Sequence, residues 1–285
     1  MNFLDFARAH GVDIPLSKFH PSDRIRRCAT LEKPRSDNGA FFWDGHRGWV
    51  MDWASGTKPI WWQDPDAKPI SDEEKREWFK ARAKGAEELK QRQQNAAAQA
   101  EEAFSKARLD SHSYLTAKGF PNEFGLVIEE TLLIPMRNLE TNRTQGYQAI
   151  TKDENGWEKK MLYGMRAKGA VLSLGPRTGE IWLVEGYATA LSVRAALRQA
   201  RILAGVICCF SAHNLVETAK NTSQTSKTFV FADNDKSQTG EKTAIESFCP
   251  WTMSDTVGWD ANDLHQKEGL FAVIDKIMTL RLDYV

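Results

Sequence analysis

From residue 179 onward, short apolar runs alternate with longer stretches that are apolar on one side only. EIWLVEG, GVICCF and TFVFAD read as buried strands, and ATALSVRAALRQA, AHNLVETAK and TGEKTAIESF carry the spacing of helices that cover a sheet. Strand followed by helix, three times over, predicts a parallel sheet flanked by helices. A strand-like turn near Val257 and a final helix over residues 270–282 are expected to close it. Residues 111–175 have a different rhythm. HSYLTAKGF reads as a helix stopped at Gly119 with Pro121 behind it, and TLLIPMRN, RTQGYQAI and KKMLYGM read as consecutive strands of an antiparallel sheet.

Nearer the N-terminus the pattern changes twice. Ser71, followed by Asp72, Glu73 and Glu74, reads as a helix start. The stretch to about residue 109 is rich in Ala, Glu, Lys, Gln and Arg, has no proline and is interrupted by Gly85 alone. Its thin apolar stripe predicts a long, exposed connecting helix that acts as a spacer. Residues 1–66 are dense in Trp, Gly, Arg and Pro, and GAFFWDGHRGWVMDWASG predicts short strands around tight turns. Trp43, Trp49 and Trp53 are its candidate core or contact residues. The expected division is a small β-rich module over 1–66, a helical linker over 67–110, a small mixed α+β subdomain over 111–175 and an α/β domain over 176–285. No internal repeat is visible.

Composition narrows the class. A chain of 285 residues has room for one substantial core and smaller units, and 41% hydrophobic with 27% charged residues excludes disorder as the dominant state. The longest apolar runs, 206–210 and 229–232, are far too short to span a bilayer. MNFLDFARAHGVDI lacks a basic start followed by an apolar stretch, so neither a signal peptide nor a membrane partner is expected. Cys28, Cys208, Cys209 and Cys249 form no CxxC pair, which fits reduced thiols in a cytoplasmic protein. A formal net charge of zero argues against a uniformly basic nucleic-acid coat but leaves room for a local basic groove.

In a parallel α/β sheet, functional groups gather at the carboxyl ends of the strands. Glu185 ends the strand IWLV, with Gly186 behind it to allow a sharp turn. Asp233 and Asp235 end the strand TFVFA and alternate, so both can face one cleft with Asn234 turned away. Converging carboxylates repel one another unless a cation relieves them. All-oxygen donors favour a hard ion such as Mg²⁺, with Mn²⁺ as the substitute. Taken singly, each acid also reads as a solvated strand end or an ordinary turn, and spacing alone leaves both readings open.

The ordered set LVEGYATALSV, FADNDKSQTGEKTA and WDANDLHQKEG resembles the Toprim domains of phage- and plasmid-encoded primases, over essentially all of residues 179–285. YLTAKGF, LLIPMRN, GYQAI and KKMLYG resemble the N-terminal half of a primase core. The resemblance implies that Glu185 serves catalysis or metal coordination and that Asp233 and Asp235 bind Mg²⁺. It places Asp260, Asn262 and Asp263 beside the acidic cleft, and turns Asn214 of CFSAHNL toward it. It also implies a small mixed sheet packed on the Toprim domain that lends cations to a template and nucleotide groove. Lys159, Lys160, Arg166 and Lys168 are the candidates for phosphate contacts, with Lys242 and Arg137 weaker ones. The implied reaction is two-metal-assisted nucleotidyl transfer, making short RNA primers on single-stranded DNA from ribonucleoside triphosphates in a bacterial host. No GxxxxGK[ST] loop occurs, so a replicative helicase is expected in trans. A Toprim nuclease and a non-catalytic DNA-binding replication factor are the alternatives.

Primases of this group often begin with a zinc-binding module. RIRRCATLEKPRSDNGAFFWDGHRGWV resembles that region in its arginines and aromatics but keeps only Cys28 as a thiol, and His10, His20 and His46 are scattered. A metal-free, Trp-packed module without zinc is therefore expected. Arg26, Arg27 and Arg47, interleaved with Trp43 and Trp49, could grip single-stranded DNA by charge and stacking. Exposed arginines over buried tryptophans are the competing arrangement.

Overall fold

The computed structural model describes residues 1–53, 58–64, 72–154 and 156–284. The chain forms two compact units, Met1–Ala81 and Arg82–Val285. No helix of the described residues is long and apolar enough to cross a membrane.

The first unit opens with helix α1 (Phe3–Ala9), whose first turn is closed by the Asn2 side chain accepting the Asp5 N–H at 2.9 Å. Five strands follow: β1 (Val12–Asp13), β2 (Ser22–Thr30), β3 (Gly39–Trp43), β4 (Arg47–Asp52) and β5 (Ile60–Gln63). They form an antiparallel meander in chain order. Alternation along the strands sends Phe41 and Val50 to one face, where they bury with Phe3 and Phe6 of α1 and with Cys28. Within the segment expected to form short strands around tight turns lie β3 and β4.

Helix α2 (Asp72–Lys106) covers the predicted linker. Ser71, its expected start, and the expected module boundary at 66/67 lie outside the described residues. The helix is not exposed along its whole length, as the sequence suggested. Toward its end Ala96 and Ala100 are fully buried, Phe104 meets the Tyr147 ring edge-on at 6.1 Å, and Glu101 accepts from the Thr144 hydroxyl. Alanines allow this close approach because they carry almost nothing to move aside.

The second unit is organised by one sheet. Its antiparallel part holds β6 (Arg108–Asp110), then helix α3 (Ser113–Ala117), β7 (Gly125–Ile128), β8 (Thr131–Asn138), β9 (Thr144–Asp153), β10 (Gly156–Met161) and β11 (Ala170–Leu174). The rest alternates strand and helix: β12 (Glu180–Val184), α4 (Tyr187–Gln199), β13 (Ala204–Cys208), α5 (Ala212–Thr222), β14 (Lys227–Ala232), α6 (Thr239–Glu246) and β15 (Trp251–Met253), ending in α7 (Ala261–Glu268) and α8 (Leu270–Asp283). The spatial order is β10-β9-β8-β11-β13-β12-β14-β15, with β7 on β8 and β6 on β7. Strands β13, β12, β14 and β15 are mutually parallel. Strand β11 runs antiparallel to both β8 and β13, so it joins the two kinds of pairing into one sheet.

The residues of β12 and β14 alternate between two cores, as strands buried on both faces must. Trp182, Val184, Phe229 and Phe231 pack toward α4, α7 and α8; Ile181, Leu183, Val230 and Ala232 pack on the other side, with Leu215 and Ala219 of α5. The last strand is Trp251–Met253, paired with β14, and the turn expected near Val257 follows it. Val257 is exposed between Ser254 and Trp259, where Thr256 N–H bonds the Ser254 hydroxyl and Trp259 N–H bonds the Thr256 carbonyl. Those bonds turn the chain, and Trp259 then makes an isolated antiparallel bridge to Asn234.

Candidate functional site

The carboxyl ends of β12 and β14 lie side by side, because these strands are direct parallel neighbours. Glu185 follows β12. Its carbonyl accepts the Phe210 N–H at 2.8 Å and the Cys208 thiol at 3.3 Å, which zips the strand end to β13. Gly186 caps α4 with φ −98° and ψ 153°, an extended conformation open to any residue. The turn therefore does not need glycine's freedom, contrary to the sequence reading; a Cβ there would press on Thr189 Oγ1 at 3.3 Å.

Asn234 is turned away from its neighbours. Its side chain donates to the Ser254 carbonyl at 2.9 Å, and its N–H bonds the Trp259 carbonyl at 3.2 Å. The two flanking aspartates then differ sharply. Asp235 caps α6, accepting the Gly240 N–H at 2.7 Å, the Thr239 N–H at 3.1 Å and the Ser237 hydroxyl. Burial alone would raise its carboxyl, but the hydrogen bonds from Ser237, Gly240 and Thr239 outweigh it and hold the group below the ordinary range. Asp233 has no such help. Its Oδ1 is buried without a hydrogen-bond partner. Burial, then the charges of Asp260, Glu185 and Asp235, push it up to about 8, against a smaller opposing pull from Lys159. Glu185 is also raised, first by burial and then by Asp235.

The Asp-x-Asn-Asp segment builds the start of α7. Asp260 accepts the N–H groups of Asn262 at 2.7 Å and Asp263 at 2.8 Å, while Asp263 accepts the Asp260 N–H at 3.3 Å. This is a reciprocal capping box. The second oxygen of Asp260 takes the Thr189 hydroxyl at 3.1 Å. Asn262 is fully buried and donates to the Lys118 carbonyl and to Ser192 Oγ, so it ties α7 to the end of α3 and to α4. Asn214 is likewise committed: it accepts the Gly169 N–H and donates to the carbonyls of Ala170 and Cys209. Both asparagines fasten the walls and offer no free amide N–H to a ligand.

The basic candidates separate by the pleat of β10. Trp157, Lys159 and Met161 alternate with Glu158 and Lys160. Lys159 lies over the Tyr114 ring, 5.6 Å from its centre, and its charge reaches Asp233. Lys160 pairs with Glu158 at 2.7 Å on the opposite face. Lys168 pairs with Glu217 of α5 at 3.3 Å, Arg166 and Lys242 are exposed, and Arg137 donates to the Asn142 carbonyl at 3.3 Å.

Tyr114 of α3 was not singled out from the sequence. It is fully buried, stacked on Tyr187 at 6.5 Å and edge-on to Trp157, and its hydroxyl has no partner. Burial and then the Asp260 charge raise its hydroxyl well above the ordinary value. Thr189 was missed as well. Tyr114 lies in YLTAKGF and Thr189 in LVEGYATALSV, but no spacing rule distinguishes them from core residues.

Among the described residues, no three His, Cys, Asp or Glu side chains stand close enough to hold a metal ion together. What the strand ends offer is one desolvated, unpartnered carboxylate oxygen with further carboxylates around it. That donor chemistry suits a hard cation held by one or two carboxylates, with water or phosphate oxygens completing its shell.

In the first unit the expected DNA-contact residues are mostly engaged locally. Trp43 stacks on Phe19 at 4.1 Å and on Phe3 at 6.2 Å within the core. Arg26 donates to the carbonyls of Lys18 and His20, and Arg47 pairs with Asp44 at 3.6 Å. Trp49 lies in a cross-strand row with Phe42 and Trp61, and the Arg27 guanidinium sits 5.2 Å from the centre of the Trp53 ring.

No family model and no curated protein matches the chain. Among solved structures it is similar to a chain in the bacteriophage T7 lagging-strand DNA polymerase interacting with primase domains of two gp4 subunits bound to an RNA/DNA hybrid and dTTP. The identity is 14% and the TM-score 0.40, over 62% of this chain and 93% of that one.

Proposed function

We propose that the chain is a Toprim-type primase or primase-like replication protein, acting on single-stranded DNA and ribonucleoside triphosphates with Mg²⁺ or Mn²⁺. The observation that carries this reading is Asp233: a buried, unpartnered carboxylate oxygen at the end of β14, with Glu185 and Asp260 contributing like charge. A buried acid of this kind is costly in a resting fold and valuable where a cation or a proton is to be held. Bound Mg²⁺ would neutralise the acids and align a 3′-hydroxyl with the α-phosphate of the next nucleotide.

Asp233 supplies the principal donor, and Glu185 is the adjacent carboxylate for cation or proton. Asp235 holds the loop to the N-terminus of α6 and lends charge. Asp260, fixed by the capping box and by Thr189, keeps the far wall acidic. Lys159 brings positive charge from the antiparallel strands to the same place, where a triphosphate would need it.

The test is a priming assay with single-stranded template, labelled ribonucleotides and Mg²⁺, comparing wild type with Asp233→Asn. Oligoribonucleotides from wild type, reduced at least about 100-fold in the variant, are the expected result. Equal synthesis by both sinks the site assignment. Template cleavage without nucleotide incorporation assigns the acidic centre to a nuclease instead.

A further inference from the structure

The turn that follows edge strand β10 carries a surface that the acidic centre does not account for. Tyr163 is 84% exposed, and the Arg92 guanidinium of α2 lies over its ring at 6.0 Å from the centre. Close backbone packing holds it there. Gly164 has φ 81°, and a Cβ on it would come within 2.8 Å of Arg92 Cγ, so the turn rests directly on the arginine stem. At the next residue the Gly146 backbone of β9 leaves room for Met165: a Cβ at 146 would sit 2.6 Å from its sulfur. The Leu162 N–H bonds the Tyr147 carbonyl at 2.9 Å. The turn is thus pinned to α2 on one side and to β9 on the other, and the ring it projects adds nothing to the core.

The charges nearby are available. Arg92 and Arg166 make no ion pair among the described residues, whereas Lys160 and Lys168 are paired. Lys159 lies four residues before Tyr163, on the strand that leads into the turn, and its charge reaches the acidic centre. An exposed phenol ring on a pinned turn, with a guanidinium on its face and the unpaired Arg166 three residues on, is suited to stacking one base and contacting the adjoining phosphates. The exposed apolar side chains next to Tyr163 and Arg92 in the chain are Met161 on the strand, at 37%, and Leu89, one helical turn before Arg92, at 51%; self-association through them is an outcome of the test below.

We propose that Tyr163 and Arg92 form a stacking contact for single-stranded DNA at the outer end of β10. The contact rests on the reading of the acidic centre as a nucleotidyl-transfer site only for where the strand leads. The helix that the sequence marks as a spacer thereby contributes a binding residue.

The test uses the full chain and fluorescently labelled oligo(dT), with binding read by anisotropy in the absence of divalent cation. Tyr163→Ala should weaken binding about tenfold, Tyr163→Trp should preserve it, and Arg92→Ala should weaken it and reduce the salt slope by about 1. Tyr163→Ala and Tyr163→Trp should keep the wild-type melting temperature, since the ring adds nothing to the core. Unchanged affinity in Tyr163→Ala, or no oligo(dT) binding by wild type, overturns the proposal. So does a Tyr163→Ala variant that keeps its affinity but changes oligomeric state, which would assign the turn to self-association. Asp233→Asn should bind as wild type does. Primer synthesis with Tyr163-independent DNA binding sinks this contact alone. Tyr163-dependent binding without primer synthesis sinks only the catalytic reading.

Discussion

In the N-terminal sheet, Arg26 is bonded to two backbone carbonyls, Arg47 is paired with Asp44, and Trp43 is stacked on Phe19 and Phe3. At the end of β14, Asp233 keeps a buried oxygen that nothing bonds, among three like charges. Both regions hold the residue types that nucleic-acid chemistry uses. Only one holds them unsatisfied. A residue's type nominates it for function, but whether its neighbours complete its bonding decides whether it can act on anything else. The contrast has an exception, since Trp43 Nε1 is also buried without a partner. A neutral indole donor is a smaller penalty than a desolvated carboxylate.

The strongest way to break this contrast is Trp43→Ala. It should destabilise the protein by about 3 kcal/mol through lost packing, read as a lower denaturant midpoint with priming per folded molecule unchanged. A variant that kept its midpoint and lost only DNA binding would make Trp43 a contact residue. Gly240→Ala tests the other region. Its methyl group would run into the Asp233 carbonyl, so a loss of about 1–3 kcal/mol is expected, with loss of any Asp233-dependent synthesis. Wild-type priming in this variant would show that the loop tolerates rearrangement.

The charge on Asp233 sharpens the comparison through pH. Its folded-state value of about 8 lies far above the ordinary carboxylate value, so the folded chain holds this proton more tightly than the unfolded chain does. The resulting stabilisation is complete below about pH 4 and is lost as pH rises through about 8. Without divalent cation, the melting temperature should fall between about pH 5 and pH 9, and Asp233→Asn should flatten that fall. Equal slopes in both proteins would mean the acid is solvated. Arg47→Ala gives the smallest effect: its half-exposed pair with Asp44 is worth about 1 kcal/mol or less, and a large loss of oligo(dT) binding would contradict its structural role.

Much of the second unit was legible along the chain because the signals are local. The strand and helix periods after residue 179 match β12 to α6, and the Asp260-to-Asp263 spacing is itself a helix-start signature. Other features depended on partners far away in sequence. AVLSL is five residues between two glycines, and it is a strand only because β8 and β13 both offer it a ladder. Lys159 and Lys160 are the same side chain in adjacent positions, yet the pleat sends one toward Asp233 and the other to Glu158.

By itself, then, the sequence determined the order of elements and the placing of Glu185, Asp233 and Asp235 at strand ends, since periodicity and chain position are short-range properties. Only the tertiary structure decided which of those acids is left unpartnered. It also committed Asn214 and Asn262 to the walls, and brought Tyr114 and Lys159 to the acidic centre and Arg92 to Tyr163. Desolvation and hydrogen-bond completion are set by whatever packs across the gap, and that is written nowhere in a residue's own neighbourhood.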